Sequence, residues 1–213
     1  LGGGAYGDMK VCPLGHYCSR SRGTLRALCQ QGFYCAIQES EPHSCPGGYR
    51  AKTDEETSGM LRTDLSIACE VCAAGKFNNN NTKSSCDDCD AGYICFKGSN
   101  SATPNNKTNG IICPAGSFCP GGAVKATPCP EGTFTSSEGE KSLSACRECP
   151  SGRFNTDTGK SGCSECPVGT RSESGAKECT CIGRNRVFLA VESKCVCEPG
   201  FESIGEGQED VGS

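Results

Sequence analysis

The sequence has no tryptophan, two methionines and two histidines in 213 residues. Leu, Ile, Val and Phe together supply only 31 of them, well under the roughly one-fifth below which a chain seldom builds a core. Buried apolar area alone therefore cannot account for a fold. Long apolar runs are missing too: the longest, Val187 to Val191, is far too short to cross a membrane. No basic run offers a nucleic-acid surface, and a formal net charge of −4 is that of an ordinary soluble surface. No signal-peptide pattern opens the chain at Leu1, which reads as a mature protein or a fragment.

Cysteine stands in for the missing core. There are 21 cysteines, and a cross-link stabilises by removing entropy from the unfolded chain, roughly 3 kcal/mol for a loop of about 15 residues. Disulfides at this density persist in the secretory pathway or outside the cell and are rare in a reducing cytosol. Two N-glycosylation sequons agree with that compartment, Asn80 in NNT and Asn106 in NKT, both in polar stretches where a glycan fits.

An internal repeat organises the cysteines. The phrase Cys-x-x-Gly starts at Cys12, Cys29, Cys45, Cys72, Cys89, Cys113, Cys129, Cys149, Cys166 and Cys197. An aromatic follows its glycine within two places in every phrase except that of Cys166, and ten of the 13 aromatics sit in this slot. Glycine at that place permits the positive φ of a tight turn, and the residues after it feed a short strand. The pattern predicts a small disulfide-rich fold, mostly β or irregular. It is expected to be a linear array of short β-hairpin repeats forming a rod or ribbon, each touching mainly its neighbours. Each ring is expected to lie over the adjacent disulfide. Helix is nearly absent, with one turn possible in 58–72. Three connections, 46–68, 96–112 and 182–194, look longer and looser, the last alternating as a hairpin with Val187, Leu189 and Val191 on one face.

Taken in order, the cysteines pair as Cys12/Cys18, Cys29/Cys35, Cys45/Cys69, Cys72/Cys86, Cys89/Cys95, Cys113/Cys119, Cys129/Cys146, Cys149/Cys163, Cys166/Cys179 and Cys181/Cys195, leaving Cys197. Shifting the register by one gives four CxxC and two CxC bridges, which are reducible or strained. The in-order register is the reading adopted, with interleaving at phrases such as Cys12 to Cys18 left open. Cys197 is then either the mark of an array cut within a repeat or an intermolecular cross-link. The spacing of Cys69, Cys72, Cys86 and Cys89, repeated from Cys146 to Cys166, also approaches that of a structural zinc site. The same C-P-x-G phrase recurs where no CxxC exists, so no metal and no cofactor is expected. Redox catalysis lacks its cationic or helical setting.

No catalytic constellation emerges. His16 lies in a turn phrase and His43 in a loop, neither near a nucleophile at a familiar spacing. Asp87, Asp88 and Asp90 lack the ligand spacing of a calcium loop, and Asp54, Glu55 and Glu56 form a similar solvated charge run. The chain is not expected to be an enzyme.

The phrases CPAGSFC, CPEGTF, CRECPSGRF and CSECPVGT resemble the cysteine-rich repeats named after the ephrin-receptor ectodomain, which are akin in style to tumour-necrosis-factor-receptor and EGF modules. The stretch CTCIGRNRVFLAVESKCVCEPGFE is similar to the EGF-like segment that follows such repeats in large surface proteins of algae and protists, among them the filament proteins of flagellar hairs (mastigonemes). The resemblance implies a Gly-rich lead over 1–11, cysteine-rich repeats with a long insertion over 12–68, and ephrin-receptor-like repeats over 69–178. An EGF-like segment over 179–201 and an acidic tail or linker over 202–213 follow. Its implied role is an extracellular structural segment that self-associates or joins other copies and carries N-glycans. The alternative is a receptor or adhesion ectodomain, although only Tyr6, Phe96 and Phe188 lie outside the repeat slots to furnish a binding patch.

Overall fold

The computed structural model describes residues 12–18, 26–36, 41–189, 194–202 and 211–212. Val191 of the expected hairpin face lies outside them, as does Tyr6. Among the described residues the secondary structure consists of eleven two-stranded sheets, most strands being two or three residues long. The chain divides into two compact units, Leu1–Asp90 with Cys95–Ile111 and Ala91–Ile94 with Ile112–Ser213. Each is an array of small cysteine-stapled hairpins.

One repeat shows how the sequence builds all of them. In CPEGTF, the Thr133 amide donates to the Pro130 carbonyl at 3.1 Å, closing a turn in which Gly132 has φ +74°. That is the third turn position of type II, where a side chain would be strained and glycine is not. Thr133–Phe134 then pairs antiparallel with Arg147–Glu148, with Thr133 opposite Glu148 and Phe134 opposite Arg147. The two residues inside the CxxC of Cys146 and Cys149 are thus the returning strand. The same holds for Asp87–Asp88 between Cys86 and Cys89, and for Ser164–Glu165 between Cys163 and Cys166.

Burial confirms that oxidised sulfur replaces aliphatic packing. The fully covered side chains are dominated by cysteines, including Cys35, Cys45, Cys95, Cys113, Cys119, Cys129 and Cys149, none with measurable exposure. From Tyr17 to Phe154 every described ring of the repeat slot is half-buried, and Tyr34 and Tyr49 pack against the cluster that holds the Cys45–Cys69 bridge.

The connection 46–68 is also more ordered than its polar composition suggests. Thr53 and Glu56 cap the single-turn helix Asp54–Thr57 reciprocally, the Thr53 hydroxyl accepting from the Glu56 amide and the Glu56 carboxylate from the Thr53 amide. Asp64 caps a second turn, Leu65–Ala68, by accepting from the amides of Ser66 and Ile67. The two turns bring Ala51 and Ala68 against Cys45 and Cys69, with Tyr34, Tyr49 and Leu65 at the edge, forming a cluster that resembles a conventional core. A 3-10 turn, Leu143–Ala145, shapes the connection before Cys146.

A methyl group on Gly116 would fall within the contact radius of the Gly159 carbonyl oxygen, in a backbone at φ +82°. Gly162 has open space around it. Gly116→Ala is therefore expected to destabilise the oxidised protein by about 2 kcal/mol or more. Gly162→Ala should leave the unfolding midpoint within about 0.5 kcal/mol. Chemical denaturation without reductant measures both.

Candidate functional site

The recurring site is the seat where one hairpin meets its successors. Six turn glycines are bonded to the next phrase through both their amide and their carbonyl. The Gly116 amide donates to the Thr135 carbonyl at 2.8 Å, and the Gly116 carbonyl accepts from the Cys129 amide at 2.9 Å. Gly48, Gly75, Gly92, Gly132 and Gly152 repeat this pair of bonds.

A second layer comes from the loop two phrases further along. Leu61 covers Gly15, Asn81 and Thr82 cover Gly32, Gly98 covers Gly48, Gly139 covers Gly92, Gly159 covers Gly116 and Gly175 covers Gly132. Where the covering residue is one of these glycines, its amide donates to the opening cysteine of the phrase between, as Gly159 does to Cys129 at 2.8 Å and Gly175 to Cys149 at 2.8 Å. In all six seats the residue after the covering one accepts from the amide three places beyond the intervening glycine. Thus Arg62 accepts from Cys35, Lys83 from Ala51, Ser99 from Asn78, Glu140 from Cys119, Lys160 from Thr135 and Ala176 from Asn155, at 2.8–3.3 Å. Buried main-chain groups that would be costly if orphaned are thereby paired between repeats.

That third place past the glycine also decides the cysteine pattern. The structure joins Cys12–Cys18, Cys29–Cys35, Cys89–Cys95 and Cys113–Cys119, where the second cysteine ends the outgoing strand. In Cys45–Cys69, Cys72–Cys86, Cys129–Cys146, Cys149–Cys163 and Cys166–Cys179 the second cysteine instead precedes or opens the returning strand. From the strand registers these are the two sides of one rung, so the bridge closes the same spot from either arm. Cys181–Cys195 closes the hairpin of Arg186–Leu189 with Lys194–Cys197. Cα separations of 5.6–6.2 Å across these bridges lie in the ordinary range.

Where the cysteine sits on the returning arm, the outgoing arm carries Ala51 or a buried polar residue: Asn78, Thr135, Asn155 or Ser172. Three of these reach back to the previous repeat. The Asn78 amide donates to the Tyr49 carbonyl at 2.9 Å, that of Asn155 to the Thr133 carbonyl at 3.0 Å, and the Ser172 hydroxyl to the Arg153 carbonyl at 2.8 Å. Sequence reasoning missed these staples. Their signal is a small polar residue third after the glycine whenever no cysteine stands there.

Among the other candidate residues, Cys69, Cys72, Cys86 and Cys89 are divided among three disulfides, and Cys197 is a half-exposed thiol. The His16 Nδ1 lies 3.0 Å from the Leu14 carbonyl oxygen, and His43 stacks on Tyr34 with centroids 5.3 Å apart. Lys83 pairs with Asp87, Lys76 with Asp88 at 2.6 Å, and Asp54 receives the guanidinium of buried Arg62 at 2.7 Å, while Asp90 and Glu55 are exposed. The Arg50 guanidinium bridges Glu56 and Glu70; its hydrogen bond pulls the Glu56 carboxyl down to about 2, helped by the Thr53 amide. Asn80 and Asn106 are exposed. The Asn80 Oδ1 accepts from both the amide and the hydroxyl of Thr82, and the Asn106 Oδ1 from the amides of Thr108 and Asn109. No described helix is long and apolar enough to cross a membrane.

No family model matches the chain. Over 79 residues, 37% of its length, it is 35% identical to thyroglobulin of Rattus norvegicus. The matched stretch is only 3% of thyroglobulin, so the chain spans a small fraction of that relative. The chain is a disulfide-rich repeat protein of the extracellular type, similar in part to thyroglobulin.

Asn155→Leu would leave the Thr133 carbonyl without the amide of buried Asn155 as its side-chain partner. The expected cost is about 1–3 kcal/mol, with all disulfides retained. Unreduced thermal melting against the parent protein measures it.

Proposed function

We propose that this chain is a structural segment of an extracellular glycoprotein that extends a cell-surface fibre, hair or coat through head-to-tail association of its repeats. The observation that carries the reading is the seat itself. Successive hairpins are locked to one another by main-chain hydrogen bonds and each is closed by its own cystine, which together resist proteolysis and pulling without a large core. Such a seat is specified by backbone and accepts any repeat of the same type, so arrays of it extend naturally. The turn of Gly169 fits this, since among the described residues nothing lies within 4 Å of a carbon added there. The resemblance of CPAGSFC and CRECPSGRF to ephrin-receptor-like repeats, and of the 179–201 stretch to EGF modules and mastigoneme proteins, belongs to the same proposal. So do glycans on Asn80 and Asn106, which would keep the polar loops solvated. The role proposed is mechanical and not catalytic.

A receptor or adhesion ectodomain is the second reading. Favouring it is a small apolar spot where Val168, fully exposed, neighbours half-exposed Ile182 across the bond from the Ile182 amide to the Gly169 carbonyl.

Native material run with and without reductant, and imaged by negative stain, separates the two. The structural reading expects regular filaments and, if Cys197 bridges subunits, a ladder that collapses on reduction. Dispersed single particles with one alkylatable thiol would overturn it in favour of the ectodomain. Treatment with an N-glycanase is expected to lower the mass of the secreted protein and convert Asn80 and Asn106 to aspartate.

A further inference from the structure

The bridges of this protein follow one another without overlap. All 21 cysteines are assigned, Cys197 as a thiol and the rest in ten disulfides, each closed before the next begins. A cut inside a bridged loop, after Lys141 or Lys160 for example, leaves its pieces joined by Cys129–Cys146 or Cys149–Cys163. A cut between bridges leaves no covalent link. The longest connection between two bridges runs over 96–112, from Cys95 to Cys113.

Within that connection 105–108 is an exposed run that contains Lys107. Its flanks are anchored: the Ala102 carbonyl accepts from the Asp90 amide at 3.1 Å, and the Asn109 carbonyl from the Phe96 amide at 2.8 Å. The tip between them is closed on itself. The Lys107 amide donates to the Gly110 carbonyl at 3.1 Å, and the Asn106 Oδ1 accepts from the amides of Thr108 and Asn109. Lys107 has φ +58°, the left-handed region that strains a residue with a side chain. Such a tip opens at less cost than the seats, and exposed tips are where folded chains are nicked. Lys97, in the same connection, is held more firmly: its neighbour Gly98 covers Gly48 and donates its amide to the Cys72 carbonyl at 2.9 Å. The tip also carries the sequon Asn106-Lys107-Thr108. A glycan there is borne by the Asn106 Nδ2, whereas the capping bonds use Oδ1, so attachment leaves them in place.

We propose that the Lys107–Thr108 bond is a processing site for an endopeptidase that recognises lysine, and that a glycan on Asn106 controls access to it. Cleavage is simple hydrolysis. The C–N bond breaks, the hydroxyl of water goes to the Lys107 carbonyl carbon and its hydrogen to the Thr108 nitrogen. A protease cleft must grip the chain on both sides of the bond, and a bulky glycan one residue before it prevents that. The cut leaves no disulfide between 1–107 and 108–213. Both compact units nevertheless include residues from each side of it, so the pieces stay associated until they are denatured. The inference rests on the glycoprotein reading and is independent of the fibre.

Limited digestion of the native secreted protein with trypsin tests it, read by mass spectrometry and by denaturing electrophoresis without reductant. Four forms are compared: the parent, the parent treated with an N-glycanase, Thr108→Ser, which keeps the sequon, and Thr108→Ala, which removes it but keeps the Asn106 caps. Cleavage after Lys107 should be at least about tenfold faster in the treated parent and in T108A than in the parent and T108S. The two pieces should separate without reductant. Cleavage after Lys125, exposed in the unbridged connection 120–128 and remote from any sequon, should be equal in all four. Equal rates at Lys107 in a protein whose Asn106 carries a glycan overturn the inference alone. An Asn106 without a glycan overturns it together with the glycan reading. A rise at Lys125 as large as that at Lys107 overturns it as well, since general loosening would then explain both.

Discussion

Six turn glycines, Gly48, Gly75, Gly92, Gly116, Gly132 and Gly152, give both amide and carbonyl to the hairpin that follows, and over Gly48, Gly92, Gly116 and Gly132 a loop from two phrases away closes on the bare Cα. The arrangement needs a backbone approach that no side chain permits, which is why glycine recurs at Gly48, Gly92, Gly116 and Gly132, each facing the carbonyl of a second glycine. Cystines then fix the arms of each hairpin so that two-residue strands, far too short to persist alone, stay in register. Neither part suffices by itself. Main-chain bonds without the bridges would fray, and bridges without the seats would leave isolated loops.

The consequence is a fold specified by position more than by composition. A rung can be closed by a cysteine on either arm, as Cys119 and Cys146 show in adjacent repeats, provided a small or polar residue occupies the opposite place. Side chains outside the rung and the turn are under little packing constraint. Half-buried rings and acid–base pairs such as Lys76 with Asp88 are accommodated at the surface.

The hairpin array was legible because its turn chemistry is written in the residues: Cys-x-x-Gly with an aromatic can hardly be read except as a turn entering a strand. The staples were not legible, since Asn78, Asn155 and Ser172 are ordinary polar residues until the strand register shows them opposite a cysteine. The cystines fill the centre of each hairpin, and a ring such as Phe154, one strand position before the rung, stays half in solvent. The order in 46–68 had a readable sign, the Thr53-x-x-Glu56 capping box, masked by the surrounding polarity. The layer two phrases distant was invisible, because periodicity reveals neighbours but not which loop covers which glycine.

Peptide mapping of the protein digested without reduction tests the central claim most directly. The account predicts that fragments holding Cys113 and Cys119 stay joined to each other, those holding Cys129 and Cys146 likewise, and that Cys149 is joined to Cys163. Links between Cys146 and Cys149, or a majority of these cysteines recovered as free thiols, would contradict it.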